Sequence, residues 1–243
     1  MQEASVVNNH PVITIDGPSG VGKGTVATML ANTLGWHFLD SGAIYRLLAL
    51  KVLNAGAGLD FGGEAQGWPL QLAEMARNLD IYFKDGRTYL DNEDVTEAIR
   101  REEVGLAASK TSAFPEVRQA LLERQRDFSK APGLVTDGRD MGSVVFPDAL
   151  LKFYLDASPE IRAERRVQQL KACGISVKFH DLLEDMQKRD RQDKSRLVSP
   201  LVVPEGAIEI DTGLLSKEQV FEKILCEVRK HLVLNGGCLG NII

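Results

Sequence analysis

The 243-residue sequence has few of the features that mark exported or membrane-bound proteins. Its three cysteines, Cys173, Cys226 and Cys238, are odd in number and lack the spacing of a metal site, which favours a reducing compartment over a disulfide framework. Residues 1–10 have neither a basic start nor an apolar core, so we expect no secretory signal. No stretch approaches the ~20 apolar residues needed to cross a bilayer. We therefore expect a cytoplasmic protein without membrane contact.

Neither sign of charge is in large excess, since the sequence has 29 Lys and Arg residues and 34 Asp and Glu residues. It also has no repeat or low-complexity tract. The net charge of −5 argues against a general affinity for nucleic acid. The composition, 44% hydrophobic and 26% charged, is that of an ordinary globular protein long enough for one large α/β domain or two small ones. We expect a monomer that binds no nucleic acid.

What the sequence does contain is an alternation of short apolar runs and amphipathic segments. The β-branched run Val12–Ile15 stops at Asp16, and a helix is predicted from about Lys23 to Gly35. Further strands are predicted at 36–39, 134–136, 151–155 and 207–210, and further helices at 43–53, 115–129, from 159 with Ser158 as its cap, at 181–195 and at 217–234. This order predicts an α/β fold with an open, mostly parallel sheet and helices on both faces.

The middle of the chain breaks this rhythm. Residues 81–83 and 88–90 flank Asp85-Gly86, a pattern that predicts a β-hairpin. A hairpin does not belong in a series of β-α-β units, so we predict an inserted subdomain. The predicted organisation is a core of residues 11–61 and 115–235, an insertion at 62–114, and loose termini at 1–10 and 236–243.

A glycine-rich loop follows the first strand and opens the first helix. It consists of Gly17, Pro18, Ser19, Gly20, Val21, Gly22, Lys23, Gly24 and Thr25. Glycines let the backbone N–H groups curl around phosphate oxygens, and Lys23 adds a charge for the β- and γ-phosphates. This is a P-loop, and it predicts a P-loop NTPase-type fold that binds ATP with Mg²⁺. Because Gly24 separates Lys23 from Thr25, the Thr25 hydroxyl is expected to reach the metal through water.

The loop alone leaves the phosphate acceptor open. The sequence has no Asn-Lys-x-Asp run, which a GTPase would use to read guanine, and no His-Arg-Asp run, which a protein kinase would need. The Gly-Lys-Gly-Thr ending of the loop points instead to kinases of small metabolites.

Arginines and carboxylates are expected at the same edge of the sheet. Ser41 is a natural helix cap after the second strand, and Arg46 lies about one turn further on. Asp137, Arg139 and Asp140 follow the strand at 134–136. In an open parallel sheet such positions line the ligand crevice, where an arginine can grip a monophosphate.

With these segments the sequence resembles the bacterial cytidylate kinases, the CMP kinase branch of the nucleoside monophosphate kinases. The segments that carry the resemblance are 15–25, 39–46, 113–118, 137–142, 145–149 and 189–191, within a match from Pro11 to the last helix. The resemblance implies transfer of the γ-phosphoryl group of ATP to CMP or dCMP. It also implies that the insertion is the enlarged monophosphate-binding region of these enzymes.

The resemblance further implies a CMP site. Arg46 and Arg139 would bind the acceptor phosphate, with Ser41 and Asp140 nearby. Cytosine would face Ser109, Arg118 and Arg196, and the sugar would be held by Arg189 and Asp193. Independently, Arg189, Asp193 and Arg196 have the i, i+4, i+7 spacing of one helical stripe, which an exposed ion-pair face would also show.

Residues 159–174 resemble a short lid over ATP, whose Arg162, Arg165 and Arg166 would neutralise charge on the transferring phosphoryl group. Asp137 would order the magnesium water shell or the acceptor site, and the expected catalytic residues are Lys23, Asp137, Arg139 and Arg165. Two alternatives stay open: a P-loop kinase of AMP, UMP or shikimate, and a nucleotide-dependent switch without transfer activity.

Overall fold

A computed structural model describes residues 10–56, 67–84, 86–172 and 174–234. The predicted loose termini lie outside these residues apart from His10, as does the predicted turn residue Asp85. None of the helices in these four ranges combines the length and the apolar character that crossing a bilayer requires.

Strands and helices alternate along most of the described chain. The strands are β1 (Val12–Asp16), β2 (His37–Asp40), β3 (Ile81–Lys84), β4 (Arg87–Leu90), β5 (Glu93–Asp94), β6 (Leu134–Gly138), β7 (Leu151–Asp156) and β8 (Ile208–Asp211). The α-helices are α1 (Lys23–Leu34), α2 (Ser41–Asn54), α3 (Trp68–Arg77), α4 (Glu102–Thr111), α5 (Pro115–Arg126), α6 (Pro159–Ala172), α7 (Phe179–Ser195) and α8 (Lys217–Leu234). A 3-10 turn at Ala98–Arg100 and a π-helical turn at Met141–Val145 complete the set.

Two compact units make up the protein. The first contains the residues up to Leu39 and those from Phe128 onward, and the second is Asp40–Asp127. The boundary therefore falls at the end of β2. The predicted limits of the insertion, 62–114, lie within the second unit and stay a prediction.

A five-stranded sheet has the order β2-β6-β1-β7-β8. β1 is parallel to β6 and β7, and β7 is parallel to β8. The register places Asp16 opposite Gly138, so the segments that leave β1 and β6 emerge at one edge of the sheet. This confirms the predicted α/β fold, a parallel sheet with helices around it.

The core of the first unit forms because β1 is buried along its whole length, with Ile13 and Ile15 inaccessible to solvent. Leu30 of α1 and Ile224 of α8 pack into the same cluster. At the edge of this core Trp36 covers Gly133 so closely that a Cβ there would lie 2.5 Å from its ring. Glycine is therefore required beside this tryptophan.

The second unit contains four helices and a three-stranded sheet in its described part. β3 and β4 are antiparallel, and Lys84 lies opposite Arg87, which confirms the hairpin predicted around Asp85-Gly86. A third strand, β5, was not predicted. It pairs with β4 across Asp91-Asn92, and both residues have the positive φ that a tight two-residue turn requires.

Two predictions about helix ends are wrong. Asp40, not Ser41, caps α2, because its carboxylate accepts the Ala43 N–H at 2.9 Å. α7 ends at Ser195 and Arg196 has extended backbone, so Arg196 is not on the helical stripe of Arg189 and Asp193. In contrast, the predicted cap of α6 is confirmed, since the Ser158 hydroxyl accepts the Ile161 N–H at 3.3 Å.

Candidate active site

The phosphate loop begins where β1 ends and closes with α1. Two glycines fix its shape. A Cβ at Gly17 would lie 2.0 Å from the Leu155 carbonyl oxygen, and Gly22, the N-cap of α1, has a φ of 92°. Glycine suits both positions, because the first is too crowded for a side chain and the second has the left-handed backbone that glycine adopts most readily. The loop thus leads directly into the positive end of a helix dipole.

Lys23 lies inside the loop. Its side chain is buried, and its Nζ donates a hydrogen bond to the Pro18 carbonyl oxygen at 2.7 Å. The ammonium group is therefore held at the point where the loop curls. That is where a phosphate-binding lysine is expected.

A carboxylate lies beside the start of α1. The Asp137 Oδ2 atom is 3.6 Å from the position that a Cβ would take at Gly24, and Thr25 is exposed one residue further along. Mg²⁺ in kinases is usually held by one or two carboxylates plus substrate phosphates, so these groups fit that ion. Within the described ranges no cluster of three or more His, Cys, Asp or Glu residues could hold a metal on its own.

Asp193 joins two of the predicted CMP-binding arginines. Its Oδ2 accepts from Arg139 Nε at 2.9 Å, and its Oδ1 accepts from Arg196. Burial raises the pKa of the Asp193 carboxyl, but the positive charges of Arg139 and Arg196 outweigh burial and lower it. Burial likewise lowers the pKa of Arg139, and Asp193 more than reverses that effect. Asp193 and Arg139 are thus both ionised, and Arg196 reaches Asp193 from just beyond the end of α7.

Two further predicted residues flank this trio. Arg189 lies on α7 one turn before Asp193 and is half-buried. Asp140 is buried next to Arg139, and its carbonyl oxygen accepts the Val144 N–H at 2.9 Å within the π-helical turn. Its backbone is therefore anchored in that turn.

Arg162 of α6 is almost completely buried. Its guanidinium forms a bidentate ion pair with Asp190 of α7, with Nη2 to Oδ2 at 2.5 Å and Nη1 to Oδ1 at 3.2 Å. Nη1 also donates to the Ser19 carbonyl oxygen at 3.1 Å, so α6 is tied to the phosphate loop. Asp190 was not predicted as a site residue, although it forms part of the Arg189–Arg191 segment on which the resemblance rests.

Arg165 donates to neutral oxygens instead. Its Nη1 bonds to the Thr212 hydroxyl at 3.1 Å and its Nη2 to the Thr212 carbonyl oxygen at 2.5 Å. Thr212, directly after β8, was also missed, and no motif marks it. Arg166, the third arginine of α6, is half-buried.

In the second unit Arg46 pairs with the residue that caps its own helix. Arg46 Nη2 lies 2.7 Å from Asp40 Oδ2. The predicted Ser41 is buried, and its hydroxyl donates to Gln125 Oε1 at 2.7 Å. Asp40 was missed because either of two adjacent good capping residues could have begun the helix.

Arg118 is held by an aromatic face in the second unit. Its guanidinium carbon lies 5.3 Å from the centre of the Tyr45 ring, and Nη1 donates to the Ser112 carbonyl oxygen at 3.2 Å. The Ser112 hydroxyl in turn donates to the Ser109 carbonyl oxygen at 3.1 Å. Ser112 therefore links the two residues predicted to face the base.

Comparison with known proteins places the chain in a family. A family model described as cytidylate kinase matches residues 13–230. The cytidylate kinase of Stutzerimonas stutzeri (strain A1501) is 55% identical over 224 residues, covering 90% of this chain and 95% of the relative. That of Edwardsiella ictaluri (strain 93-146) is 52% identical over 227 residues, covering 92% and 98%. Among solved structures, a gluconokinase from Sinorhizobium meliloti 1021 aligns over 94% of this chain and 97% of its own, with 14% identity and a TM-score of 0.47. The chain belongs to the cytidylate kinase family.

Proposed function

We propose that this protein transfers the γ-phosphoryl group of ATP to CMP or dCMP, giving ADP and CDP or dCDP, in pyrimidine nucleotide metabolism. The observation that carries the proposal is the sheet edge where the phosphate loop adjoins Asp137 and Arg139, in a chain of the cytidylate kinase family. A loop of amides with a lysine suits a nucleoside triphosphate, and arginines beside it suit a second phosphate group.

ATP is proposed to bind at the phosphate loop. Lys23 would exchange the Pro18 carbonyl oxygen for phosphate oxygens, while the loop N–H groups and the α1 dipole stabilise the remaining charge. Of the three α6 arginines, Arg165 is the best candidate for the transferring group. The hydrogen bonds that it forms within the described ranges go to neutral oxygens, whereas the charge of Arg162 is compensated by Asp190. Arg166 would add to the same field.

The acceptor phosphate is proposed to bind Arg46 and Arg139. Each guanidinium is held by a carboxylate, Asp40 in one case and Asp193 in the other, which limits the rotamers it can adopt. An arginine that is already oriented loses less conformational entropy on binding phosphate. Asp140 would support this part of the site through the hydrogen bond that its carbonyl oxygen accepts from the Val144 N–H, and Ser41 through its hydroxyl, which donates to Gln125 Oε1.

Cytosine is proposed to face Arg118, Ser109 and Arg196. The base offers O2 and N3 as acceptors for an arginine and an amino group for a hydroxyl oxygen. The Tyr45 ring and the Ser112 carbonyl hold the planar guanidinium of Arg118 in one orientation, which is what selective recognition needs. Arg189 and Asp193 are proposed to hold the sugar, with the ionised carboxylate accepting from its hydroxyl groups.

Mg²⁺ is the proposed cofactor. The ATP phosphates would hold it, the Thr25 hydroxyl would reach it through water, and Asp137 would lie beside it. When bound, it would neutralise charge on the phosphates during transfer. The transition state of phosphoryl transfer is loose, so the residues act by position and charge, with Lys23, Arg139 and Arg165 as the main cations. A phosphate oxygen of CMP is already ionised at neutral pH, and we assign no general base.

An assay of ADP release with Mg²⁺ and ATP tests the function, with CMP, dCMP, UMP, AMP and shikimate as parallel acceptors. We expect CMP and dCMP to give the highest kcat/KM, and Lys23→Met to abolish turnover as a control for contaminating kinases. Faster turnover of AMP, UMP or shikimate would favour another metabolite kinase. ATP binding without transfer to any acceptor would favour a nucleotide-dependent switch.

We also propose a cytoplasmic monomer that binds no nucleic acid, with residues 159–174 as a lid and 62–114 as the monophosphate-binding insertion. The net charge of −5 supports the absence of nucleic-acid binding. Light scattering coupled to size-exclusion chromatography would test the monomer: a mass near 26.7 kDa is expected, and twice that mass would contradict it.

A further inference from the structure

Asp16 is a buried carboxylate that the proposed mechanism does not use. It is the last residue of β1, is inaccessible to solvent, and directly precedes Gly17 of the phosphate loop. A carboxylate loses its hydration on burial, and the protein must supply hydrogen-bond donors in its place. The donors that bind its carboxylate show which segment of the chain Asp16 holds in place.

Both donors come from the π-helical turn after β6. Asp16 Oδ1 accepts the Met141 N–H at 2.9 Å, and Oδ2 accepts the Gly142 N–H at 2.7 Å. The turn approaches β1 so closely that a Cβ at Gly142 would lie 2.7 Å from Thr14 Oγ1 and 3.1 Å from Pro204 Cγ. Glycine at position 142 is therefore what allows the amide to reach the carboxylate.

Asp16 is attached to this segment at two points. In the sheet its backbone lies opposite Gly138, and its side chain binds the N–H groups of residues 141 and 142. Arg139 and Asp140 are the two residues between these attachments. The residue directly before the phosphate loop thus fixes both ends of the segment proposed to bind the acceptor phosphate.

We propose that Asp16 is a positioning residue for phosphoryl transfer, whose carboxylate holds the Arg139–Asp140 segment in register with the phosphate loop. The inference rests on the proposed function, because it presumes that the loop binds the donor and Arg139 the acceptor. In-line transfer requires the two phosphates to be aligned, and a displacement of about 1 Å can cost about 100-fold in rate.

The charge of Asp16 distinguishes this role from simple packing. Burial raises the pKa of the Asp16 carboxyl to about 6, against the lowering effect of the Gly142 and Met141 N–H groups. Asp140 raises this pKa and Lys23 lowers it, and Tyr154 on the neighbouring strand also interacts with Asp16. An uncharged residue of the same shape would avoid the cost of burial but could not accept both N–H groups.

Asp16→Asn is the direct test, since asparagine has the same shape and replaces one acceptor oxygen with a donor NH₂ group. We expect kcat for CMP phosphorylation to fall about 10- to 100-fold, while the Kd values for CMP and a nonhydrolysable ATP analogue change less than about threefold. Thr14→Val is the matched control. Thr14 is buried on the same strand, its hydroxyl has no hydrogen-bond partner among the described residues, and kcat should stay unchanged.

Two further measurements keep the inference open to refutation. Amide exchange by NMR should be faster at Met141 and Gly142 in Asp16→Asn than in Thr14→Val. Gly142→Ala, which pushes the same turn away from β1, should show the same loss of kcat with nearly unchanged Kd values.

The inference is overturned if Asp16→Asn keeps kcat within about twofold of the wild type. It is also overturned if kcat falls only in proportion to the loss of folded protein, measured by circular dichroism, in both Asp16→Asn and Gly142→Ala. A wild-type protein that forms no CDP would instead overturn the proposed function, while faster exchange at residues 141 and 142 would still show the tether to exist.

Discussion

Arginine side chains of this protein lie in very different surroundings. Arg118 is buried on α5 against Tyr45, whereas Arg126 of the same helix pairs with Glu123 at the surface. A buried guanidinium with fixed partners can present its remaining N–H groups to a ligand in one orientation. A surface ion pair is worth ~0–1 kcal/mol and orients nothing.

Arg118→Met is therefore expected to lower kcat/KM for CMP by about 10- to 100-fold, the value of a hydrogen bond to a charged group. The Kd for ATP should change little, because the proposed ATP loop lies in the other unit. Steady-state kinetics and titration with a fluorescent ATP analogue would measure the two effects. Arg126→Met is the control and should match the wild type, and equal loss of CMP use and ATP binding in Arg118→Met would contradict the proposed base site.

Asp16 should also affect stability through its protonation. Its pKa in the folded protein, about 6, lies above the ordinary value of 3.8, so the folded state binds the proton more tightly and the carboxylate destabilises the fold above pH 6. Its contribution is favourable at low pH and is lost as the pH rises through 6. Between pH 7 and pH 5 the wild type should gain about 1 kcal/mol in unfolding free energy relative to Asp16→Asn.

Urea unfolding of both proteins at pH 7 and pH 5 would measure this difference. Each protein serves as the reference for the other, because all remaining titrating groups are shared. Parallel pH dependences would mean that Asp16 does not titrate in this range.

At the scale of elements, patterns within a short stretch of sequence predicted most of the fold. α1 ends at Leu34 with Gly35, which has a φ of 65°, as its C-cap, and α8 spans the predicted 217–234. Both rest on periodicity and on local backbone preferences. The π-helical turn at Met141–Val145 could not be predicted in this way, because the N–H groups at its start bond to Asp16, 125 and 126 residues away in sequence.

The candidate site was predicted less completely for the same reason. The cationic residues could be named from motifs and from the resemblance, but their anionic partners depend on tertiary contacts. Asp190 reaches Arg162 only because α6 packs on α7, and Asp193 reaches Arg196 although the helix has ended. Helical spacing describes one element, whereas these pairs need two elements or a helix end.

The pair Arg162–Asp190 should act as the anchor of α6. Arg162→Met would leave Asp190 without its main counter-charge in a nearly buried position, at a cost of about 3 kcal/mol in unfolding free energy. Chemical denaturation would measure the loss. Arg100→Met, which removes the solvent-exposed ion pair of Arg100 with Glu97, is the control, and its unfolding free energy should change by less than about 1 kcal/mol. A loss that small in Arg162→Met would instead fit an arginine that is free to move with a lid.

At the scale of the whole molecule, the proposed CMP-binding residues come from both compact units. Ser109 and Arg118 lie in the second unit, and Arg139 and Asp193 lie in the first. A ligand that binds only the folded form of a unit stabilises that unit by mass action. The response of each unit to CMP can therefore be measured on its own.

We expect CMP to slow hydrogen exchange in α4 and α5. At a concentration about 100 times its Kd, CMP should add about 2.7 kcal/mol, or roughly 100-fold protection, to amides that exchange through unfolding of this unit. Mass-spectrometric exchange with and without CMP would measure it, and Arg118→Met at the same CMP concentration is the control. Binding of CMP without added protection in α4 and α5 would contradict the assignment of Ser109 and Arg118.

The two tryptophans of the chain are divided between the units: Trp36 packs on Gly133 in the first, and Trp68 begins α3 in the second. Each unit therefore carries its own intrinsic fluorophore. Replacing either tryptophan with phenylalanine leaves tryptophan emission from one unit alone. Thermal unfolding of the first unit and of the second unit could then be followed separately, without attaching any dye.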